Sequence, residues 1–220
     1  MSVDLGFITR IAPTLAQGLA TTVALAIPAI VLSALWAIPV VAGLMARSRL
    51  VARITADYVE LVRNTPVLVQ MFFWIFGLPF VGIVLPEFTG ALLALGFYTS
   101  AFVAEVVRAG ILSISKGQIE AARSLGLSYL QTMRLILLPQ AIAITVPPLG
   151  NLAIALTKNT SVASAVLVAD LMYQAEVVNA RTFATYETFV VVGLMYLALT
   201  LPLSRLVRLV EVRLTQSRST

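Results

Sequence analysis

The order of apolar and charged positions along the chain settles its class before any motif is considered. Charge-free stretches run 11–46, 64–86, 88–104, 135–157 and 188–204, with the charged residues gathered between them. A helix needs roughly 20 mostly apolar residues to cross a hydrocarbon core about 30 Å thick. The pattern predicts an all-α, polytopic membrane protein with five spans, at about 17–46, 58–80, 88–112, 134–157 and 186–208. The two shortest stretches reach that length by accepting a flanking charge. The first stretch is long for one span and contains Pro28 and Pro39. It reads as a lead-in near Pro13 followed by a long helix from about Gln17, bent at the prolines. Two helices within 11–46 are the competing arrangement. No repeat or linker divides the chain, so 1–220 reads as one transmembrane domain.

Composition sharpens this picture. Of 220 residues, 60% are hydrophobic and 11% charged, and the mean hydropathy is +0.97. A water-soluble domain carries about 25% charged residues. With no cysteine and no histidine, disulfides, thiolate metal sites and the usual general base are excluded. The pI of about 10 does not indicate nucleic acid in so apolar a chain; the basic residues set orientation instead. With five spans, twelve of the fifteen basic residues fall on one side, leaving Arg10, Lys158 and Arg181 on the other. That bias places the N-terminus outside and the C-terminus in the cytoplasm. Residues 1–10 lack the basic start of a cleavable signal, and the apolar run after them is too long for a signal core. Ser161–Ala169 is apolar but too short to span, so it is expected to re-enter the membrane partly from outside, or to line a cavity.

Between the third and fourth spans, the run from Ser115 to Gly126 predicts a short cytoplasmic helix over about 116–126. Ser115 and Gln118 have capping-box spacing. Glu120 sits where a helix dipole favours an anion. Ala121, Ala122 and Leu125 make a small, partly apolar face, and Gly126 is placed to end the helix left-handed. Ser128 and Gln131 repeat the capping spacing and start the next helix, and Pro139 lies near its entry into the bilayer. A phosphate-binding loop needs Gly-Lys followed by Ser or Thr. Here Lys116 precedes Gly117 and Lys158 precedes Asn159, so this chain carries no such loop and any ATP hydrolysis must belong to another chain.

Seven positions between Glu120 and Pro139, namely Glu120-Ala121-Ala122, Gly126, Ile136 and Leu138-Pro139, match the EAA signature of bacterial binding-protein-dependent ABC importer permeases. The resemblance continues through Arg63-Asn-Thr-Pro-Val-Leu-Val-Gln70, Phe102-Val-Ala-Glu-Val-Val-Arg-Ala-Gly110, Pro139-Gln-Ala141, Pro147-Pro-Leu-Gly-Asn151 and Lys158-Asn-Thr-Ser161, which are similar to the polar amino acid permeases. Tyr98–Glu105 and Ala155–Thr160 look closest to glutamate-type members.

The resemblance implies a multi-pass protein of the bacterial inner membrane. It implies four kinds of partner besides lipid: a cytoplasmic ABC ATPase dimer, a second permease (identical or related), an extracytoplasmic solute-binding protein, and a polar amino acid as substrate. No cofactor is expected in this chain, ATP and Mg being held by the ATPase. The coupling surface would be Ile119, Glu120, Ala121, Ala122, Arg123 and Gly126.

Polar residues at membrane depth are the candidates for the substrate pathway. Asn64, Thr65 and Gln70 surround Pro66, which restricts Thr65 and distorts the helix start; they either face a solute or accompany a packing bend. Lys158, Asn159, Thr160 and Ser161 end the fourth span. Lys158 either attracts a carboxylate or snorkels to the interface. Asp170 either accepts a substrate ammonium or serves as a helix cap or ion-pair partner; the resemblance favours the pathway. Glu105 and Arg108, three apart on one helix, are expected to pair. The leading reading is an importer permease working by alternating access. A stand-alone ion-coupled carrier or channel is the alternative, and an enzyme is disfavoured by the lack of His, Cys and G-x-S-x-G.

Overall fold

A computed structural model describes residues 5–216, and those residues contain helices and turns but no strand. The helices are α1 (Leu5–Leu44), α2 (Arg49–Asn64), α3 (Val67–Phe72), α4 (Glu87–Leu112), α5 (Lys116–Ser124), α6 (Tyr129–Thr132), α7 (Leu138–Asn159), α8 (Leu171–Thr182) and α9 (Thr185–Gln216). A π turn (Phe73–Gly77) and a 3-10 turn (Leu78–Val81) continue α3, a π turn (Met133–Leu137) joins α6 to α7, and a 3-10 turn (Thr160–Val166) follows α7. Four continuous helical runs are long and apolar enough to cross a membrane: Gly6–Leu44, Glu87–Leu112, Leu130–Val166 and Thr185–Leu214. Arg49–Asn64 and Val67–Val81 form a fifth only as a pair bent by 105°.

The long charge-free stretch near the N-terminus is one helix, not two. It begins at Leu5 rather than near Gln17 and runs unbroken past Pro13, Pro28 and Pro39. Its early turns are held by packing. Phe7, Ile11, Leu15 and Leu19 recur every four residues, so they share one face, and that face meets Leu171, Ala175 and Val178 of α8 and Val192 of α9. At about 1.5 Å per residue, its 40 residues extend about 60 Å, twice the hydrocarbon thickness.

The expected span at 58–80 is divided. Its first residues belong to α2, which buries Val59 and Val62 and exposes Arg49, Arg53, Asp57, Glu60 and Arg63. The cause of the break is Pro66. It has no N–H for the carbonyl of Val62, four residues earlier, and its ring keeps the preceding residue out of the helical region. Thr65 is accordingly extended, at φ −104 and ψ 129. The Gln70 amide fills the gap, donating to Val62 O at 2.9 Å and to Thr65 O at 3.1 Å.

The centre of the bundle is α1 against α4. Small residues on α4 allow close approach: Gly96 faces Leu32 of α1, and Gly90 faces Ile75 of the turn after α3. One core joins Leu25 and Ala29 of α1, Met71 of α3, Leu95 of α4 and Leu156 of α7. Ala163, Val166 and Val168 belong to the same core, so the short apolar segment after α7 turns back into the bundle. A second core brings Ala37 and Val40 of α1 against Val59 and Val62 of α2 and Ala101 and Ala104 of α4.

Replacing Gln70 with Leu should lower stability in detergent by about 1–3 kcal/mol, because two carbonyls lose their donor. Thermal unfolding of the purified protein checks this; an unchanged midpoint would show that the break needs no clamp.

Candidate functional site

The helix between α4 and α7 shows how local sequence builds a presented surface. Ser115 takes the N-cap conformation of α5 but its hydroxyl makes no capping bond, so the first expected capping box does not form. Instead Gln118 N donates to the Ser115 carbonyl at 3.1 Å. The C-terminal end follows expectation. Gly126 has φ +75, Leu127 N donates to Ala122 O at 3.1 Å, and Gly126 N donates to Arg123 O at 2.9 Å; this is the Schellman pattern. The second capping box is complete: Ser128 N to Gln131 Oε1 is 2.9 Å and Gln131 N to Ser128 Oγ is 3.3 Å. Of the candidate coupling residues, Ala122 is buried and Ile119 half-buried, whereas Glu120, Ala121, Arg123 and Gly126 are exposed. Leu125 beside them is 79% exposed. The result is a short helix, stopped sharply at both ends, with a mixed charged and apolar outer face.

Around the α2–α3 break, the three expected pathway residues turn to their own backbone. The Asn64 amide donates to Glu60 O at 2.8 Å, the Thr65 hydroxyl to Leu61 O at 2.8 Å, and Gln70 bridges the break. Thr65 and Gln70 also line a cavity of about 360 Å³ with Val62, Val69, Phe73 and Trp74. Asn64 opens to a different cleft, between α2 and α4. Glu105 and Arg108 form a two-pronged ion pair there: Arg108 Nε lies 3.1 Å from Glu105 Oε2, and Nη2 contacts Oε1.

The end of α7 is arranged similarly. Thr160 is buried and donates to Thr157 O at 2.8 Å, and Ser161 donates to Lys158 O at 2.8 Å. Lys158 is exposed and Asn159 half-buried. The structure brings this turn against α3, so the Thr160–Ser161 group and the Gln70 group lie on packed elements.

Asp170 opens onto no described cavity. It is completely buried and is the N-cap of α8, with Oδ1 accepting from Tyr173 N at 2.9 Å. The next residue, Leu171, donates its N–H to the Thr22 hydroxyl of α1 at 3.1 Å. Oδ2 of Asp170 and the Tyr196 hydroxyl reach no partner at hydrogen-bonding geometry, although the Tyr196 hydroxyl sits among Asp170, Thr22 and Thr160. The cap reading left open by the sequence therefore describes this structure. Thr22 and Tyr196 were not legible as partners, because they lie on helices distant in sequence and carry no motif. The approach is tight: a side chain at Gly18 would place its Cβ 2.8 Å from the Asp170 carbonyl oxygen and the Leu171 Cα.

A bundle of long apolar helices around buried polar turns, with a short helix presented at one end, is the architecture of a multi-pass membrane protein. The chain belongs to the family described as "Binding-protein-dependent transport system inner membrane component", matched over residues 29–216. It is 51% identical over 160 residues, 73% of this chain and 74% of the relative, to "Probable glutamine ABC transporter permease protein GlnM" of Bacillus subtilis (strain 168). It is 39% identical over 215 residues, 96% and 91% of the two chains, to "Probable amino-acid ABC transporter permease protein y4tG" of Sinorhizobium fredii. Its fold matches a chain in the crystal structure of an amino acid ABC transporter with histidines at TM-score 0.90 and 34% identity, covering 97% of this chain and 100% of that one. A chain of the MetNI methionine ABC transporter shares the fold at TM-score 0.69 and 23% identity.

Asp170→Ala should cost about 1–2 kcal/mol through loss of the cap, whereas Asp170→Asn, which keeps an accepting oxygen, should unfold near the wild-type temperature. Thermal unfolding compares the two; equal losses would contradict a capping role.

Proposed function

We propose that this chain is the membrane subunit of an ATP-driven importer for a polar amino acid, glutamine or its acid relative glutamate. The observation that carries the reading is the likeness over nearly the whole chain to a solved amino acid transporter. The substrate class is supported by relatives named for glutamine, one of them 51% identical and another 40% identical. The glutamate-type resemblance of Tyr98–Glu105 bears on the same small group.

In this reading a second permease pairs with the chain, a solute-binding protein delivers substrate outside, and a partner ATPase docks on α5 from the cytoplasm. The basic-residue bias supports that orientation. Glu120, Arg123 and the exposed Leu125 supply charged and apolar contacts for docking. The pathway is assigned to Thr65 and Gln70, whose cavity they line, with Asn64 beside the break, and to Lys158, Asn159, Thr160 and Ser161 on the packed turn. Asp170 then supports the path from behind by fixing α8. ATP binding drives the change by stabilising one state of the assembly over the other. The carrier alternative has less support: Glu105 is engaged with Arg108 and Asp170 caps a helix, so neither is poised as a free coupling carboxylate.

The complete assembly in proteoliposomes should take up labelled glutamine or glutamate only when binding protein and ATP are both present. Accumulation by this chain alone along a proton or sodium gradient would overturn the reading. Gly126→Val, which forces a β-branched residue to a positive φ, should cost about 1–2 kcal/mol locally. It and Glu120→Lys should insert normally yet lose ATPase association or uncouple hydrolysis from uptake. Normal coupling in both would remove α5 from the docking surface.

A further inference from the structure

At the end of the bundle that carries α5, α2 and α4 enclose a cleft of about 570 Å³, a volume typical of small-ligand sites. Its charged lining is Glu60 and Arg63 of α2 and Glu105 and Arg108 of α4, with Asn64 and Phe102 beside them. Other cavities have a different character: the one between α7 and α9, for example, is lined by Val146, Leu149, Gly150, Leu206, Val207 and Val210.

The charges are not equivalent. Glu105 and Arg108 neutralise each other in their two-pronged pair. Glu60 and Arg63 form no ion pair with any described residue. They leave one carboxylate and one guanidinium at the same cleft. The Arg63 side chain is positioned, because its guanidinium lies over the Phe102 ring at 5.3 Å. A guanidinium resting over an aromatic face makes no hydrogen bond to it and can still offer N–H groups to a carboxylate.

We propose that this cleft is a binding subsite for the zwitterion of a free α-amino acid, Arg63 taking the α-carboxylate and Glu60 the α-ammonium. The proposal rests on the amino acid reading above and adds a second place where substrate is held, near α5. Both anchors are exposed to water, which weakens each contact. The subsite is therefore low in affinity, as suits a position from which substrate leaves. Glu105 is bonded to Arg108 but also feels the charge of Arg63, without forming an ion pair with it, so a substrate carboxylate at Arg63 competes with that weaker attraction.

The chain has no native cysteine, so Ala56→Cys, on the exposed lining of the cleft, gives a single reporter. The complete transporter, with cysteine-free partners and no binding protein, is placed in phosphatidylcholine nanodiscs and labelled with a maleimide. L-Glutamine should slow labelling of Ala56→Cys. Two analogues should each protect about two- to fivefold more weakly, because one water-exposed charged contact is lost: 4-aminobutanamide lacks the carboxylate and glutaramic acid lacks the ammonium. Adding Arg63→Ala should abolish the preference for glutamine over 4-aminobutanamide, and adding Glu60→Gln the preference over glutaramic acid. A reporter in the apolar cavity, Val210→Cys, should be unaffected by glutamine.

Equal protection by all three compounds, or protection unchanged in both double variants, overturns the proposal. So does protection that appears only when phosphatidylethanolamine is added, since its headgroup also pairs an ammonium with an anion. Loss of assembled complex in both variants, with no glutamine protection in Ala56→Cys, would make the cleft a subunit interface and overturn it too. Binding-protein-dependent uptake by the Ala56→Cys complex is measured in parallel. Uptake without protection sinks the subsite alone, whereas failure to take up any amino acid sinks the functional reading beneath it.

Discussion

Where a chain runs through lipid, its backbone N–H and C=O groups must find partners inside the protein, because no water is there to take them. The places where this chain stops being a regular helix show that constraint at work. Pro66 leaves the Val62 carbonyl without its usual donor, and the Gln70 amide supplies one. Asn64 and Thr65 direct their side chains to the carbonyls of the same last turn. At the far end of the bundle the α7 helix tightens into a 3-10 turn, with Thr160 and Ser161 donating to nearby carbonyls. Asp170 then accepts the N–H of Tyr173 and Thr22 accepts that of Leu171. The irregular backbone is thus stabilised by polar side chains that a search for ligand contacts singles out first.

This double duty explains what was legible in the sequence and what was not. Local rules read well: Gly126 ends α5 left-handed, Ser128 and Gln131 cap the next helix, and Glu105 pairs with Arg108, because each depends on neighbours within a turn. Ser115 and Gln118 had the same spacing as the box that forms, yet a backbone bond satisfied Gln118 instead. Hydropathy found the apolar runs but misjudged their ends. Helix α1 starts at Leu5 because its first turns meet α8 and α9, and charge counting sees no such partner. The expected span at 58–80 takes in residues 58–64, whereas amphipathic α2 ends at Asn64, before Pro66, and the chain bends by 105° into α3. Whether Asp170 caps a helix depends on the positions of α8 and α1, which no local sequence rule supplies.

Close packing ties these polar turns to the bundle. Gly18 faces the backbone at Asp170 so closely that any Cβ would meet the carbonyl oxygen at 2.8 Å. Backbone atoms cannot swing aside as the end of a flexible side chain can. Helix α8 is therefore fixed to α1 by a hydrogen bond at Thr22 and an absent side chain at Gly18, beside the carboxylate that caps α8 itself, all within one small region. Loss of any one loosens the same contact, so their effects will be coupled rather than additive.

The same logic connects the presented helix to the charged cleft. Helix α4 carries Glu105 and Arg108, ends at Leu112, and is followed after three residues by α5. One helix thus forms a wall of the cleft and the direct lead to α5. A partner bound on α5 can alter the cleft only if the two states of the assembly differ in their contacts with that partner. In the cleft, such a difference need only change how far Glu105 and Arg108 stand from Glu60 and Arg63. If a shift of α4 toward α2 lets the Arg108 side chain swing from Glu105 to Glu60, the carboxylate of α2 becomes engaged and a bound ammonium loses its partner. Pairing within α4, as seen here, leaves the α2 anchors open. The cleft's occupancy would then be set by which of two mutually exclusive ion pairs forms, a comparison of like interactions that a small helix shift is enough to decide.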